Sequence, residues 1–492
     1  MGKSVIVTAL CRIFLQDGFK VCPFKAQNMS LNSFVTKEGG EMGRAQAVQA
    51  QAARLQPHVD MNPILIKPAG DVKAQIILHG KPVGNMRVKK YNEYKKIAIK
   101  KVLDSFCRLK KQYEIIVIEG AGSPAEINLR KDDIVNMKIA EAAHAPVILV
   151  GDIDKGGVFA SLVGTLALLQ AQERKRIKGF IINKFRGDKR LLKKGLSFLE
   201  KKTGKPVLGV IPYFSAAGGS AYGGNNIIIP EEDSVALEDK KQKRRSKGVN
   251  IAVIKLPYTS NFTDFDALEN EPDVRLTYVD DKKQLDGADI VIIPGTKNTI
   301  ADLLWLKKSG IAEKILSTID YRLSTILIGI CGGYQMLGKV IYDSGKVESI
   351  QKEIEGLGLL PIITTFKSEK ILSQTQAFEI KTGIELKGYE IHHGRTISLE
   401  PCSPMFRIKG AKRLDGIQSG DGRIWGTYLH GIFDNVEFRR HFLNRVRSTI
   451  GLKQPAVQGG CFNLENEFDK LASLVRKNID LKLLYKILNH EL

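Results

Sequence analysis

Thr325-Ile326-Leu327-Ile328-Gly329-Ile330-Cys331-Gly332-Gly333-Tyr334-Gln335-Met336-Leu337-Gly338 reads as an apolar strand that ends in a cysteine and turns at once into a helix. Glycines stand two residues before and two after the cysteine. They relieve the crowding that a sharp strand-to-helix turn imposes on its central residue. Such a turn lifts the thiol out of the sheet. The positive helix end favours thiolate, and the next backbone N–H faces a developing oxyanion. A lone cysteine after a strand is ordinarily a core residue. The flanking glycines and Gln335 shift the reading to a nucleophile.

A cysteine nucleophile needs a base one hydrogen bond away, usually distant in sequence. Trp425-Gly426-Thr427-Tyr428-Leu429-His430-Gly431-Ile432-Phe433-Asp434 places His430 at the end of a short aromatic strand. A single histidine is more often structural, but beside this cysteine segment His430 is the candidate base. Both segments resemble the triad-type glutamine amidotransferases, in which the cysteine attacks the side-chain amide of glutamine and releases ammonia. Pro294-Gly295-Thr296-Lys297, after Ile290–Ile293, is similar to the loop that supplies an oxyanion donor. The resemblance therefore implies Gly295 and Gly332 as the oxyanion pair. Many members carry Glu two residues after the histidine. That position is Ile432 here, which leaves Asp434 as a weak candidate for the third triad member.

The chain has 492 residues, too many for one core, with 43% hydrophobic and 26% charged residues. That is ordinary for a soluble protein of two or three domains. No apolar run could span a bilayer, and the N-terminus lacks signal-peptide features, so a cytoplasmic protein without membrane association is expected. The six cysteines are scattered without a CxxC, against a zinc site. The formal charge is +22, densest at Lys240-Lys241-Gln242-Lys243-Arg244-Arg245-Ser246-Lys247. This reads as a solvated linker. No aromatic interleaving or zinc-finger spacing points to nucleic acid. Oligomeric state is not legible.

The first half alternates candidate strands (Phe19–Phe24, Ile115–Ile118, Val147–Val150, Phe180–Ile182, Val207–Ile211) with helical spacing, as at Ile97, Leu103 and Phe106. This pattern implies a parallel sheet covered by helices. The second half repeats it with Ile251–Leu256, Val274–Val279, Ile290–Ile293 and Ile326–Ile330. A β-rich stretch follows to Leu429, then amphipathic helices around Phe468, Leu471, Val475, Leu481, Leu484 and Leu488. The expected α/β domains are 1–235, a basic linker 236–248, 249–450, and C-terminal helices 451–492.

Gly2-Lys3-Ser4 at the start of a helix matches the end of a P-loop, where backbone N–H groups and the lysine hold phosphates and the hydroxyl binds Mg²⁺. Glu119, after Ile115–Ile118, stands where a Mg²⁺ ligand belongs. Asn183, ending another strand, suits an adenine edge. Strand ends carrying polar residues or glycine fit ligand binding at the carboxyl edge of a parallel sheet.

Several segments resemble the cobyric acid synthase family. They are Phe24-Lys25-Ala26-Gln27-Asn28-Met29, Asn32-Ser33-Phe34, Gly43-Arg44-Ala45-Gln46, Asp60-Met61-Asn62-Pro63, Glu119-Gly120-Ala121-Gly122-Ser123-Pro124-Ala125-Glu126, Asn183-Lys184-Phe185-Arg186-Gly187-Asp188, Ser260-Asn261-Phe262-Thr263-Asp264-Phe265-Asp266 and Gly388-Tyr389-Glu390-Ile391-His392-His393-Gly394-Arg395. The resemblance implies a dethiobiotin-synthetase-like P-loop domain followed by a triad-type amidotransferase domain. The implied reaction is ATP- and glutamine-dependent amidation of peripheral carboxylates of adenosylcobyrinic acid a,c-diamide, without a prosthetic group. Gly2, Lys3, Ser4 and Asn183 would bind ATP, and Ser4, Glu119 and Asp60 would hold Mg²⁺. Lys25, Gln27 and Asn28 would hold the corrinoid polycarboxylate. Family members begin with an apolar strand and a G-T-x-S-x-x-G-K-S loop, and this chain starts inside that loop. Weak ATP binding is the consequence expected of the sequence as it stands. The rival readings are an a,c-diamide synthase, a cell-wall precursor amidase, an ATPase-deficient copy, and a partitioning-type ATPase or regulatory binding protein with an inert amidotransferase domain.

Overall fold

The computed structural model describes residues 2–68, 73–128, 130, 133–214, 227–230, 248–321, 324–349, 351–453 and 463–491. The basic run 240–247 lies outside them, as does most of the expected linker. The chain divides into two compact units. One comprises Met1–Ser30, Glu41–Glu232 and Asn463–Leu492, and the other Leu31–Gly40 and Asp233–Phe462.

The first unit is built around the helix Lys3–Gln16, which buries Ile6, Val7, Leu10, Ile13 and Phe14. Apolar residues at helical spacing give this helix a face that must be covered. The amphipathic helices Leu464–Arg476 and Leu481–Leu488 join the same core through Phe468, Leu471, Val475, Leu484 and Ile487. Arg12 is fully buried beside them and bonds Asp469 at 2.7 Å and Glu465 at 2.9 Å. A buried guanidinium persists only when so paired.

The expected parallel strands form, in two groups. Val21–Phe24 pairs with Ile115–Ile118. Separately, Val147–Asp152, Ile177–Phe185 and Val207–Pro212 form a three-stranded parallel sheet with Ile177–Phe185 in the middle. A cavity of about 460 Å³ is lined by both Ile115–Ile118 and Val147–Val150, with Ile6, Leu10, Ile181 and Leu484 among its other walls. The sequence reading did not anticipate the mixed sheet of Gln27–Met29, Ile64–Pro68, Lys73–Leu78 and Lys81–Arg87.

The second unit carries five parallel strands in the order Val274–Val279, Val249–Ile254, Ile290–Ile293, Ile326–Ile330 and Ile424–Thr427. Their near-continuous Ile/Val/Leu content suits strands buried on both faces. Leu414–Gln418 pairs antiparallel with Ile424–Thr427 and extends the sheet into the long hairpin Ile362–Glu379 and Glu385–Ser398. Ten residues from the N-terminal half, Leu31–Gly40, belong to this unit.

Candidate active site

The strand Ile326–Ile330 ends at Cys331, whose backbone sits at φ 52 and ψ −105, and the helix Gly332–Met336 follows. A non-glycine residue there is strained, as a nucleophile elbow requires. The flanking glycines are sterically obligatory. A Cβ on Gly333 would lie 1.9 Å from the Ile293 carbonyl oxygen, and one on Gly329 would lie 2.7 Å from the Gly333 backbone.

His430 follows Ile424–Thr427, the strand paired with Ile326–Ile330, so sheet register brings base and nucleophile together. The Gly295 loop closes over both. A Cβ on Gly295 would stand 2.9 Å from His430 Cε1 and 3.7 Å from Cys331 Cβ. A Cβ on Gly332 would meet the Thr296 methyl at 2.6 Å and Thr296 N at 3.3 Å. The two glycines expected to frame an oxyanion thus both lie beside Cys331, Gly332 next to it in the chain and Gly295 across from its Cβ. Cys331 Sγ donates to Ile391 O at 3.7 Å.

The acid partner of His430 is Asp264, not Asp434. Asp264 Oδ2 lies 2.6 Å from His430 Nδ1, and Asp264 Oδ1 accepts from Gly431 N at 3.2 Å. Asp434 is exposed in the turn Ile432–Asp434. Asp264 sits in the 3-10 turn Phe262–Phe265, buried with Asn261 and Phe265. Burial opposes charge on His430, but the Asp264 carboxylate and then the Cys331 thiol outweigh it and raise the imidazole to about 10. Nε2 is buried without a hydrogen-bond partner and is the nitrogen left for proton exchange. The Tyr389 ring stacks on the imidazole with centroids 5.1 Å apart and 15° between planes.

In the first unit, Gly2 takes φ 74 and starts the helix that carries Lys3 and Ser4. Lys3 Nζ donates to Gly122 O at 3.0 Å. Glu119 gathers the rest: Ser4 Oγ and Lys25 Nζ each lie 2.9 Å from its Oε1, and Gln49 Nε2 lies 2.5 Å from its Oε2. Gln49 had no part in the sequence reading, because nothing local marks it. Asn183 is buried at the end of its strand, and its Nδ2 would lie 2.5 Å from a Cβ on Gly2. Gly2, Lys3, Ser4, Lys25, Glu119 and Asn183 therefore stand at one strand-end edge.

The other expected residues have their own partners. Asp60 accepts from Ser105 Oγ at 2.7 Å and from Arg108 Nε at 2.9 Å. Gln27 accepts from the Tyr91 hydroxyl, and Asn28 Nδ2 donates to Gln46 Oε1 at 2.9 Å. Among the described residues no cluster of three or more His, Cys, Asp or Glu offers a ready metal cage. The Ser4 hydroxyl beside the Glu119 carboxylate is an oxygen pair suited to Mg²⁺, which takes one or two protein ligands plus phosphate oxygens.

The Cys331 elbow, a histidine on the adjoining strand and a carboxylate on its Nδ1 define a glutamine amidotransferase of the triad type. Residues 250–438 match the CobB/CobQ-like glutamine amidotransferase domain, and residues 1–224 match the CobQ/CobB/MinD/ParA nucleotide binding domain. The chain is 49% identical to a cobyric acid synthase of Dehalococcoides mccartyi over 99% of its length and 97% of the relative's. It is 48% identical to those of Pelotomaculum thermopropionicum and Clostridium tetani, over 99% of this chain and 94% and 96% of theirs. The chain belongs to the cobyric acid synthase family, the glutamine-dependent amidoligases of cobalamin biosynthesis.

Proposed function

We propose that the chain amidates peripheral carboxylates of adenosylcobyrinic acid a,c-diamide, using ATP to activate each carboxylate and glutamine as the nitrogen source. The observation that carries this reading is the presence in one chain of the Cys331–His430–Asp264 triad and the Ser4–Lys25–Glu119 cluster.

The glutaminase half follows from the triad. Cys331 Sγ passes its proton to His430 Nε2 as it forms a bond to the side-chain carbonyl carbon of glutamine, and the carbon–nitrogen bond breaks. His430 gives its Nε2 proton to the leaving ammonia, while Asp264 stabilises the imidazolium. Backbone N–H groups at Gly332 and in the Gly295 loop offset the oxyanion. Water then cleaves the thioester, releasing glutamate and regenerating the thiol.

The synthetase half addresses a different barrier. A carboxylate is a poor acyl donor until phosphorylated, and ammonia then displaces phosphate to leave the amide. Lys3 would offset charge on the transferring phosphoryl group, and Asn183 would face the adenine. Ser4 and Glu119 would hold Mg²⁺, which supplies charge compensation when bound. With Asp60 engaged by Arg108 and Ser105, it is a weaker ligand than these two. Lys25, Gln27 and Asn28 would bind the corrinoid carboxylates, with Lys25 exchanging Glu119 for substrate.

The test is amide formation on the corrinoid diamide with ATP and either glutamine or ammonium. Glu119→Gln and Lys25→Ala should reduce synthesis from both nitrogen sources while glutamine hydrolysis persists at the rate seen without acceptor. Full synthesis in both variants would refute the assigned cluster.

A further inference from the structure

Leu31–Gly40 is drawn from the N-terminal half of the sequence, yet it is part of the amidotransferase unit. Within that unit it reaches the support of all three triad members. Ser33 N donates to Asn261 Oδ1 at 3.0 Å. Asn261 has a left-handed backbone at φ 54 and caps the turn Phe262–Phe265, which carries Asp264. The Phe34 ring lies 5.8 Å from the Tyr389 ring, which in turn stacks on His430. Tyr389 and His430 also exchange backbone hydrogen bonds at 3.2 and 2.9 Å. Val35 packs with Leu372, Tyr389 and Ile391, and its carbonyl accepts from Gln374 Nε2 at 3.0 Å. Ile391 O is the acceptor of the Cys331 thiol. A tight turn, Thr36 N to Gly40 O at 2.7 Å, closes the segment on itself.

We propose that Leu31–Gly40 is a strap that positions His430 and Asp264, and that occupancy of Lys25–Ser30, immediately before it in sequence, sets the rate of glutamine hydrolysis. The second clause rests on the corrinoid-binding role proposed for Lys25, Gln27 and Asn28. The physical reason is leverage. A triad works only within a narrow geometry, and a misplacement of about 1 Å costs on the order of 100-fold. Ser33 and Phe34 are adjacent in the chain, so one small shift of the strap moves the acid's turn and the histidine's stacking partner together. Hydrolysis would then be slow without an acceptor and fast with one. Phe34 and Ser33 are positioning residues, since neither touches the reacting atoms.

The experiment uses the full chain. Glutamine hydrolysis is measured with and without ATP and adenosylcobyrinic acid a,c-diamide, beside iodoacetamide alkylation of Cys331 and ammonium-driven amide synthesis. Wild type should be stimulated roughly 10-fold or more by ATP plus diamide. Phe34→Ala should lower the stimulated kcat for glutamine roughly 10- to 100-fold with little change in KM. Ammonium-driven synthesis should persist, Cys331 should still alkylate, and Phe34→Tyr should restore the rate. Should Phe34→Ala not fold, Phe34→Leu keeps apolar bulk without ring stacking and carries the same expectation. A stimulated rate in Phe34→Ala or Phe34→Leu equal to wild type overturns the strap, and so does equal loss of ammonium-driven synthesis. Wild type that shows no stimulation overturns the coupling. Wild type that makes no amide from ammonium counts against the corrinoid reading instead, because the effect of Phe34 on unstimulated glutamine hydrolysis still reports on the strap.

Discussion

Asp264 Oδ2 stands 2.6 Å from His430 Nδ1, across 166 residues of sequence, and completes the base of the glutaminase site. A carboxylate there fixes the tautomer that leaves Nε2 to the thiol and stabilises the imidazolium. Asp264→Asn should therefore lower kcat for glutamine hydrolysis by roughly 100- to 10,000-fold with the fold intact. Asp434→Asn should change it little. Steady-state glutaminase assays of both variants check the assignment, and the reverse ranking would overturn it.

The same pair sets a pH dependence. His430 is raised to about 10, so its charged form is favoured in the folded protein across the neutral range. The stability it contributes is fully present below the unfolded histidine value of about 6.5 and is lost as pH rises through about 10. The alkaline limb of glutamine hydrolysis should lie near that upper value and move toward neutral in Asp264→Asn. Superimposable pH–rate limbs for the two proteins would contradict this.

Asp302 shows burial outweighing the groups that favour charge. Its carboxyl is fully buried in the helix Thr299–Lys308, where it accepts from Tyr258 N at 3.2 Å and from the Thr296 hydroxyl. Burial pushes it up to about 7, more than those hydrogen bonds pull it down. An acid raised in the folded state contributes stability below about pH 4 that is lost as pH rises through about 7. Asp302→Asn keeps an acceptor for Tyr258 N and cannot ionise. Thermal melts should show the variant losing less stability than wild type between about pH 4 and 8. Parallel losses would be inconsistent with a protonated Asp302.

Local features were legible in sequence, and distant ones were not. Cys331, with Gly329, Gly332 and Gly333, announces itself because an elbow is built from neighbours. His430 followed because a base must pair with that thiol. Asp264 lay in a segment whose resemblance was plain, yet nothing in its spacing tied it to His430. Asp434 looked better by proximity alone, and the turn at Ile432–Asp434 left it exposed. Amphipathic spacing identified the C-terminal helices but could not name their partner, the helix Lys3–Gln16 with Arg12. Leu31–Gly40 has no periodicity of its own. Its conformation is set by Asn261, Gln374 and Tyr389, all more than 200 residues away.

The most direct test of a two-site amidoligase is the nitrogen dependence of Cys331→Ala. The account predicts that this variant makes no amide from glutamine, hydrolyses no glutamine, and retains ATP-dependent amidation with high ammonium at a rate close to wild type under the same conditions. Glutamine-driven amide formation by Cys331→Ala would contradict it.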